Sequence, residues 1–260
     1  MLRLAVRHLS AAATGEEAGL RASILAAALK HVPAHGWSAH ALAAGATDVG
    51  LSPSAHAIVG GGGAELVAHF QQSADERLRA ELEHLAQGVE SCTVAQRLSA
   101  GIKLRLSYIE PYAASWPQAL ALQALPSQLP ATVKRASLLA ELLDDYAHAT
   151  PMSAGASAGH GLGPVPPTAC ARRAAIGGAY ALAELHMVAD SAPASRAAAG
   201  ADGGRQQPLD LSASYGHVDE LCAALERGAR SLRRVETELA HAAVHSRLLL
   251  GVLASLGRRG

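Results

Sequence analysis

The sequence predicts an all-α protein, in which a helix-turn-helix head precedes a helical bundle and an amphipathic C-terminal helix. Half of the 260 residues are hydrophobic but only 3% are aromatic, so the core must consist mainly of Ala, Leu, Val and Ile. Alanine and leucine are strong helix formers, and apolar residues recur at helical spacing along most of the chain. The formal net charge is zero, which gives no general attraction to nucleic acids or to membranes.

The head is predicted over residues 19–85 as a helix-turn-helix region. A first helix is expected over residues 21–35, and Ser38 is placed to cap the second. Ser52-Pro53 can cap and open a short third helix. Three helices joined by short turns that contain glycine are typical of a DNA-reading head.

The charge of the head argues against DNA binding. Over residues 21–70 there are two basic residues and two acidic residues. Lysine and arginine that neutralise phosphates supply much of the affinity for DNA, and the head lacks them. We therefore expect a repressor-like scaffold that does not bind nucleic acid, with a DNA-binding transcriptional regulator as the alternative.

The bundle is predicted over residues 86–228 and is joined to the head by a long helix. The expected helices cover residues 64–84, 93–109, 116–125, 131–148 and 168–188, and a last helical region begins near Leu209. Residues 150–167 and 191–208 are of low complexity and are predicted as flexible loops.

The first residues resemble a targeting segment. Residues 1–18 carry Arg3 and Arg7 and no acidic residue before Glu16. Arginine in an alanine- and serine-rich segment is typical of a mitochondrial transit peptide, whereas a disordered start is the alternative.

The strongest amphipathic pattern lies in residues 229–260. One helical face is apolar, and from Arg227 to Gly260 there are seven basic and two acidic residues. An apolar face flanked by arginines suits the surface of an anionic bilayer, while a helix packed on the bundle is the alternative. The residues expected to contact the membrane are Leu239, Leu249, Leu250, Leu253, Leu256, Arg233, Arg234 and Arg247.

Chemistry-bearing motifs are weak in this chain. Two Glu-x-x-His pairs, Glu81…His84 and Glu238…His241, have the spacing of a di-iron bundle site, which would need further glutamates such as Glu141 and Glu184. The first pair lies in a heavily charged stretch that is typical of a solvated helix. We therefore expect no catalytic residues, no metal site and no cofactor, and a di-iron enzyme is the less favoured alternative.

A hydrophobic cavity is predicted in the bundle. The stretch around Tyr112, Trp116 and Leu120 is apolar and free of charge, and the helix of Tyr180 and Met187 is expected beside it. Packing in an ordinary core is the alternative. A separate feature is Asp144-Asp145 near the end of a helix, where acidic side chains oppose the helix dipole and a partner contact can compensate for them.

Several segments carry a specific resemblance to one known family. They are Ala34-His35-Gly36-Trp37, Val49-Gly50-Leu51-Ser52, Glu65-Leu66-Val67-Ala68-His69-Phe70, Pro111-Tyr112, Trp116-Pro117-Gln118-Ala119-Leu120, Leu125-Pro126, Asp144-Asp145, Arg172-Arg173, Tyr180, Glu184-Leu185 and Asp190-Ser191-Ala192-Pro193. In this order and spacing the chain resembles the accessory proteins of ubiquinone (coenzyme Q) biosynthesis, the family of coenzyme Q biosynthesis protein nine. The resemblance covers residues 21–193 well and the tail loosely.

The resemblance implies a non-catalytic, lipid-binding protein with a fold similar to that of TetR-type repressors. Such a protein lies peripherally on the matrix face of the mitochondrial inner membrane and presents an isoprenoid quinone intermediate to the di-iron demethoxyubiquinone hydroxylase. A homodimer, as in TetR-type proteins, is a further expectation. The family often has a Trp-Tyr pair shortly before the two arginines, where this chain has Ala169-Cys170.

Site residues follow from the cavity, the helix end and the resemblance together. The expected lipid-binding residues are Tyr112, Trp116, Leu120, Arg173, Tyr180 and Met187. The residues expected to face the hydroxylase are Asp144, Asp145, Arg172, Glu184 and Asp190.

Overall fold

The computed structural model describes residues 17–86, 92–149, 167–191 and 212–231. These residues form helices and connecting turns, and no strand occurs among them, which confirms the all-α prediction. Residues 1–16 of the predicted transit peptide, most of both low-complexity segments, and the predicted membrane-contacting residues lie outside the described residues.

The head consists of short helices in the predicted order. They are α1 (residues 17–28), a 3₁₀ turn at Leu29–His31, α2 (Val32–His35), α3 (Ala39–Asp48) and a 3₁₀ helix at Pro53–Val59. The cap predicted at Ser38 is wrong, because its hydroxyl donates to the carbonyl of His35 at 2.9 Å and α3 has no side-chain cap. One of the few basic groups of the head, Arg21, is paired with Glu65 at the start of the next helix.

The bundle is built from six helices within the described ranges. They are α4 (Gly62–Leu85), α5 (Val94–Ser107), α6 (Trp116–Gln123), α7 (Leu129–His148), α8 (Pro167–Ser191) and α9 (residues 212–231), with a 3₁₀ turn at Glu110–Tyr112 before α6. Thr93 caps α5: its side chain accepts from the backbone N–H of Gln96 at 3.2 Å, and the side chain of Gln96 accepts from the N–H of Thr93 at 2.8 Å. Gly216 and Gly228 do not interrupt α9.

The core of the bundle lies where α7 packs against α5 and α8, and α4 packs against α6. Its centre consists of aliphatic side chains that are almost wholly buried, among them Leu78, Ile102, Leu106 and Leu143. Burial of each such side chain contributes about 1.5–3 kcal/mol. Because this cluster is continuous with the buried residues of the head, head and bundle share one core.

An aromatic cluster joins the head to the bundle. Trp37 of the head meets Phe70, Tyr112 and Trp116, and the neighbouring ring centroids are 5.0–5.6 Å apart. Four of these five contacts have steep interplanar angles of 61–73°, the edge-to-face geometry that aromatic pairs prefer, and the fifth, between Trp37 and Tyr112, is tilted at 53°. The scarce aromatic residues of the chain are thus concentrated at this joint.

Two glycines permit close approach, Gly36 at the same joint and Gly45 within the head. Gly36 has a φ of +65°, and a Cβ atom there would collide with the side-chain oxygen of Gln118. That oxygen accepts from the N–H of Trp37 at 2.9 Å, and the amide nitrogen of Gln118 donates to the carbonyl of Trp37 at 3.2 Å. Gly45 lets α3 lie against α1, since a Cβ there would stand 2.6 Å from the backbone nitrogen of Ala28.

Within the described ranges, none of the helices is both long enough and apolar enough to cross a membrane.

Candidate functional site

A cavity of about 290 Å³ opens between α4, α5, α6, α7 and α8. Its apolar lining comes from small and aliphatic side chains of the last three helices and the α6–α7 turn. This lining comprises Leu120, Ala124, Leu129, Ala136, Leu139, Ala140, Gly177 and Ala181. Polar side chains complete the wall: Gln71, Asp75, Arg105, Gln123, Thr132, Arg135, Tyr180 and Glu184.

A chain of hydrogen bonds runs along one side of this cavity. Arg135 donates to Oε1 of Gln71 at 2.7 Å, and Nε2 of Gln71 donates to Oε1 of Gln123 at 2.8 Å. An arginine can only donate, so the first bond fixes the orientation of both amides. Nε2 of Gln123 is left buried and without a partner among the described residues.

A buried ion pair lies beside this chain. Arg105 is 1% exposed, and its Nε donates to Asp75 at 3.0 Å. Burial raises the pKa of Asp75, and the charge of Arg105 acts in the opposite direction. The Nη1 atom of Arg105 is buried and has no hydrogen-bond partner within the described part of the chain. A buried donor without a partner costs about 1–3 kcal/mol, so this wall can gain free energy from an acceptor.

A third polar group joins α8 to α6. The indole Nε1 of Trp116 donates to Glu184 at 2.9 Å. Burial raises the pKa of Glu184, although the hydrogen bond from Trp116 and the charge of Arg105 act in the opposite direction. Burial also raises the pKa of Tyr180. Both groups therefore favour their protonated, uncharged forms.

The structure separates the predicted lipid-binding residues into three groups. Leu120 and Tyr180 line the cavity, and Trp116 reaches its wall through Glu184. Tyr112 and Met187 do not line it, because Tyr112 packs in the aromatic cluster and Met187 is wholly buried in the core.

The third group is Arg173, which lies in an ion-pair cluster between α7 and α8. Its Nη1 donates to Glu141 at 2.7 Å, and its Nη2 is 3.5 Å from Asp145. In the same cluster Arg172 binds both oxygens of Asp144, at 2.6 and 2.7 Å. Bidentate arginine–carboxylate pairs are among the strongest hydrogen bonds between side chains, so this cluster fixes α8 on α7.

Asp144 is the buried centre of that cluster. Its side chain is 1% exposed, and Nδ1 of His148 lies 3.0 Å from its Oδ1. Burial opposes its ionisation, but the hydrogen bonds from His148 and Arg172 outweigh burial and hold the pKa of Asp144 well below its usual range. The bond to Asp144 raises the pKa of His148.

The predicted partner-facing residues do not form one continuous outer surface. Asp145 and Arg172 keep 54% and 39% of their side chains exposed. Glu184 lies in the cavity wall, and Asp144 is buried, which corrects the expectation that both face outward. Asp190 accepts from Ser214 and lies 3.2 Å from Nδ1 of His186, so it joins α8 to α9.

The polar wall of the cavity was not predicted from the sequence. A signal for it was present in α5, where Leu98, Ile102 and Arg105 follow helical spacing. A charged residue on an otherwise apolar face indicates a buried ion pair or a ligand contact. The contribution of Gln71, Gln123 and Asp75 has no comparable signal, since it depends on how four helices meet.

A second cavity of about 350 Å³ lies between α4 and α7. It shares Asp75, Arg135 and Leu139 with the first, and most of its other lining is charged or polar. Among the described residues no group of three or more His, Cys, Asp or Glu side chains is arranged to hold a metal ion. Glu141 and Glu184, the carboxylates named for a di-iron site, are engaged separately with Arg173 and Trp116.

Comparisons with known proteins give one consistent result. The family model for the N-terminal domain of ubiquinone biosynthesis protein COQ9 matches residues 17–47. Mitochondrial ubiquinone biosynthesis protein COQ9 of Rattus norvegicus is 35% identical over 175 residues, 65% of this chain and 52% of that protein.

Two further relatives carry the same name. The Homo sapiens protein is 38% identical over 137 residues, 51% of this chain and 42% of its own. The Drosophila melanogaster protein is 34% identical over 131 residues, 50% of this chain and 39% of its own. The chain thus spans about half the length, or less, of these curated relatives.

Proposed function

The chain belongs to the COQ9 family of ubiquinone biosynthesis proteins, and on that premise we propose that it is a non-catalytic, lipid-binding accessory protein of ubiquinone biosynthesis. Its ligand is an isoprenoid quinone intermediate, which it presents to the di-iron demethoxyubiquinone hydroxylase. The observation that carries this proposal is the cavity of about 290 Å³ between α4 and α8, with its aliphatic lining and its unsatisfied polar wall.

The chemistry of the cavity supports a lipid with a polar head. Leu120, Leu129 and Leu139 offer apolar contact, and each buried methylene of a ligand gains about 0.8 kcal/mol relative to water. Withdrawal of an isoprenoid from a bilayer into such a site replaces lipid contacts with protein contacts. The second cavity supports this role less well, because five of its ten lining residues are charged, against four of sixteen in the first cavity.

Exposed apolar side chains lie next to residues that line the cavity on α7 and α8. Leu129 lines the cavity and is 50% exposed, and Val133 lies one helical turn further along α7 and is 57% exposed. On α8, Leu185 is 56% exposed and lies one turn beyond the cavity-lining Ala181. Exposed aliphatic residues next to an opening favour the passage of an apolar tail.

Lipid analysis of the purified full chain tests this proposal. After expression in a ubiquinone-producing host, extraction and mass spectrometry should detect an isoprenoid quinone or its precursor in an amount comparable to that of the protein. An extract that holds only bulk phospholipid, in the proportions of the host membrane, would contradict the proposal.

Membrane contact is assigned to residues 229–260, on the matrix face of the mitochondrial inner membrane. The support is the sequence pattern of an apolar face flanked by arginines. In a liposome flotation assay with cardiolipin-containing vesicles, the full chain should float, and a chain of residues 1–228 should float much less. If both chains float equally, residues 229–260 are not the membrane contact.

Contact with the hydroxylase is assigned to the exposed part of the α7–α8 ion-pair cluster. Asp145 and Arg172 supply its exposed charges, and charges at the edge of an interface act mainly on the association rate. Asp145→Lys should weaken capture of the purified hydroxylase, whereas Glu83→Lys, the same charge reversal at an exposed position of α4, should not. Equal capture by both variants would place the interface elsewhere. Size-exclusion chromatography with light scattering tests the proposed homodimer.

A further inference from the structure

We propose that Arg105 and Gln123 bind oxygen atoms on the ring of the ligand, so that the cavity receives a quinone or alkoxyphenol ring and the tail stays outside it. This inference rests on the proposed lipid-binding function and adds the orientation of the lipid and the chemistry by which its head is recognised.

The first support is the pair of unused donors in the cavity wall. Nη1 of Arg105 and Nε2 of Gln123 are both buried and both lack a partner within the described residues, and both side chains line the cavity. The orientation of Gln123 is set by Arg135 through Gln71, so its free atom is the donor. Two donors on one cavity wall match a ligand with two acceptor oxygens.

The second support is that the acidic groups of the wall are already engaged. Asp75 accepts from Arg105, and Glu184 accepts from Trp116. A cationic head group would therefore have to compete with internal donors, while an acceptor-rich head group meets vacant ones. Carbonyl, phenol and alkoxy oxygens on one ring provide such acceptors without a net charge.

The third support is size. Ligand pockets in proteins measure about 300–1,000 Å³, and this cavity, at about 290 Å³, lies at the lower limit. A single substituted ring fits that space, whereas a tail of many isoprene units exceeds it. Leu129, which lines the cavity and is 50% exposed, offers the tail an apolar way out.

Three small ligands separate the ring, its oxygens and the tail. Duroquinone is a fully methylated quinone ring, durene has the same ring and methyl groups without oxygens, and farnesene is an isoprenoid hydrocarbon. Equilibrium dialysis measures the dissociation constant of each with the full chain. The wild type should bind duroquinone about tenfold more tightly than durene, the effect of one well-placed hydrogen bond to a group that is otherwise unsatisfied.

The test variant is Gln123→Glu, which keeps the acceptor for Gln71 and replaces the free donor with an oxygen. It should weaken duroquinone binding about tenfold and leave durene and farnesene unchanged. Gln72→Glu makes the same change at an exposed position outside this cavity and should alter none of the three constants. Arg105→Lys keeps a cation beside Asp75 but removes Nη1, so it should also weaken duroquinone binding. This variant serves as the test if Gln123→Glu does not fold.

The outcomes distinguish the two levels of the proposal. Equal duroquinone affinity in wild type and folded variant would overturn the inference. Wild type that binds farnesene but not duroquinone would also overturn it and leave lipid binding intact. Wild type that binds none of the three ligands, and no isoprenoid quinone in the lipid extract, would overturn the proposed function itself.

Discussion

Glu184 accepts a hydrogen bond from the indole nitrogen of Trp116 at 2.9 Å, and this bond joins the middle of α8 to the start of α6 at the wall of the cavity. Trp116 in turn packs against Trp37 of the head, with ring centroids 5.6 Å apart. The polar wall of the cavity is therefore connected, through one tryptophan, to the joint between head and bundle. A change at this bond should affect the stability of the whole chain.

The first prediction concerns the pH dependence that Glu184 confers. Burial raises its pKa above the ordinary value of 4.5, so the folded protein holds the proton at pH values where the unfolded chain has lost it. The free energy of unfolding should therefore fall as pH rises from about 4.5 toward the raised pKa, by about 1.4 kcal/mol for each pH unit in that window.

Glu184→Gln keeps an acceptor for Trp116 and removes this titration. Relative to wild type, the variant should gain stability progressively as pH rises through the same window. Urea unfolding at a series of pH values measures the difference. If the free energies of unfolding of the variant and wild type differ by the same amount at pH 4.5 and at pH 7, Glu184 does not hold a proton in the folded state.

The second prediction concerns the α7–α8 ion-pair cluster. Asp144→Ala leaves Arg172 without its bidentate partner and should lower the free energy of unfolding by about 3 kcal/mol, the lower end of the range for breaking a buried pair, because Arg172 is partly exposed. Asp145→Ala, at the neighbouring and half-exposed carboxylate, should cost no more than about 1 kcal/mol.

The pH dependence of this difference has a defined window. The lowered pKa of Asp144 contributes stability above about pH 3.8, which is lost as pH falls toward the folded value. The raised pKa of His148 contributes stability below pH 6.5, which is lost as pH rises through the folded value. The difference in the free energy of unfolding between wild type and Asp144→Ala should be largest between about pH 3.8 and pH 6.5. Equal destabilisation by Asp144→Ala and Asp145→Ala would refute the assignment of Asp144 as the centre of the cluster.

The third prediction compares two glycines by thermal unfolding. Gly36→Ala should destabilise the protein by about 1–2 kcal/mol or more, because φ is +65° and the new methyl group would displace the side chain of Gln118. Gly178→Ala lies within α8 with no atom in contact range and should stabilise the protein by about 0.5–1 kcal/mol. Unchanged stability of Gly36→Ala would contradict the close fit between head and bundle.

Local sequence signals predicted the helices well where the responsible atoms are close in sequence. Thr93 and Gln96 form the capping box that the sequence allows, and α4 covers the predicted long linking helix with one or two additional residues at each end. Ser38 shows the limit of such signals, since its hydroxyl donates to the carbonyl of His35 and accepts no hydrogen bond from an N–H of α3. Propensity rules do not decide which of two nearby backbone groups a serine hydroxyl will bind.

The cavity was predicted only in part, because its lining depends on tertiary contacts. The charge-free apolar stretch that contains Leu120, with the helix of Tyr180 expected beside it, predicted a cavity, and both residues line the cavity of the structure. The same reasoning could not tell that Tyr112 packs against Phe70, with ring centroids 5.0 Å apart, because those residues lie 42 positions apart in the chain. It also missed Arg105, whose charge is accommodated by Asp75 of another helix.

The central claim is that the lipid occupies the cavity between α4 and α8, and a matched pair of variants on α8 tests it most directly. Ala181 lines the cavity, whereas Ala175 is exposed and about 170° away from the centre of the cavity-lining face, by the rotation of about 100° per residue. The measurement is the amount of isoprenoid quinone bound per mole of purified protein. Ala181→Trp should lose most of the bound lipid and Ala175→Trp should keep it, while equal lipid content in the two variants would contradict the account.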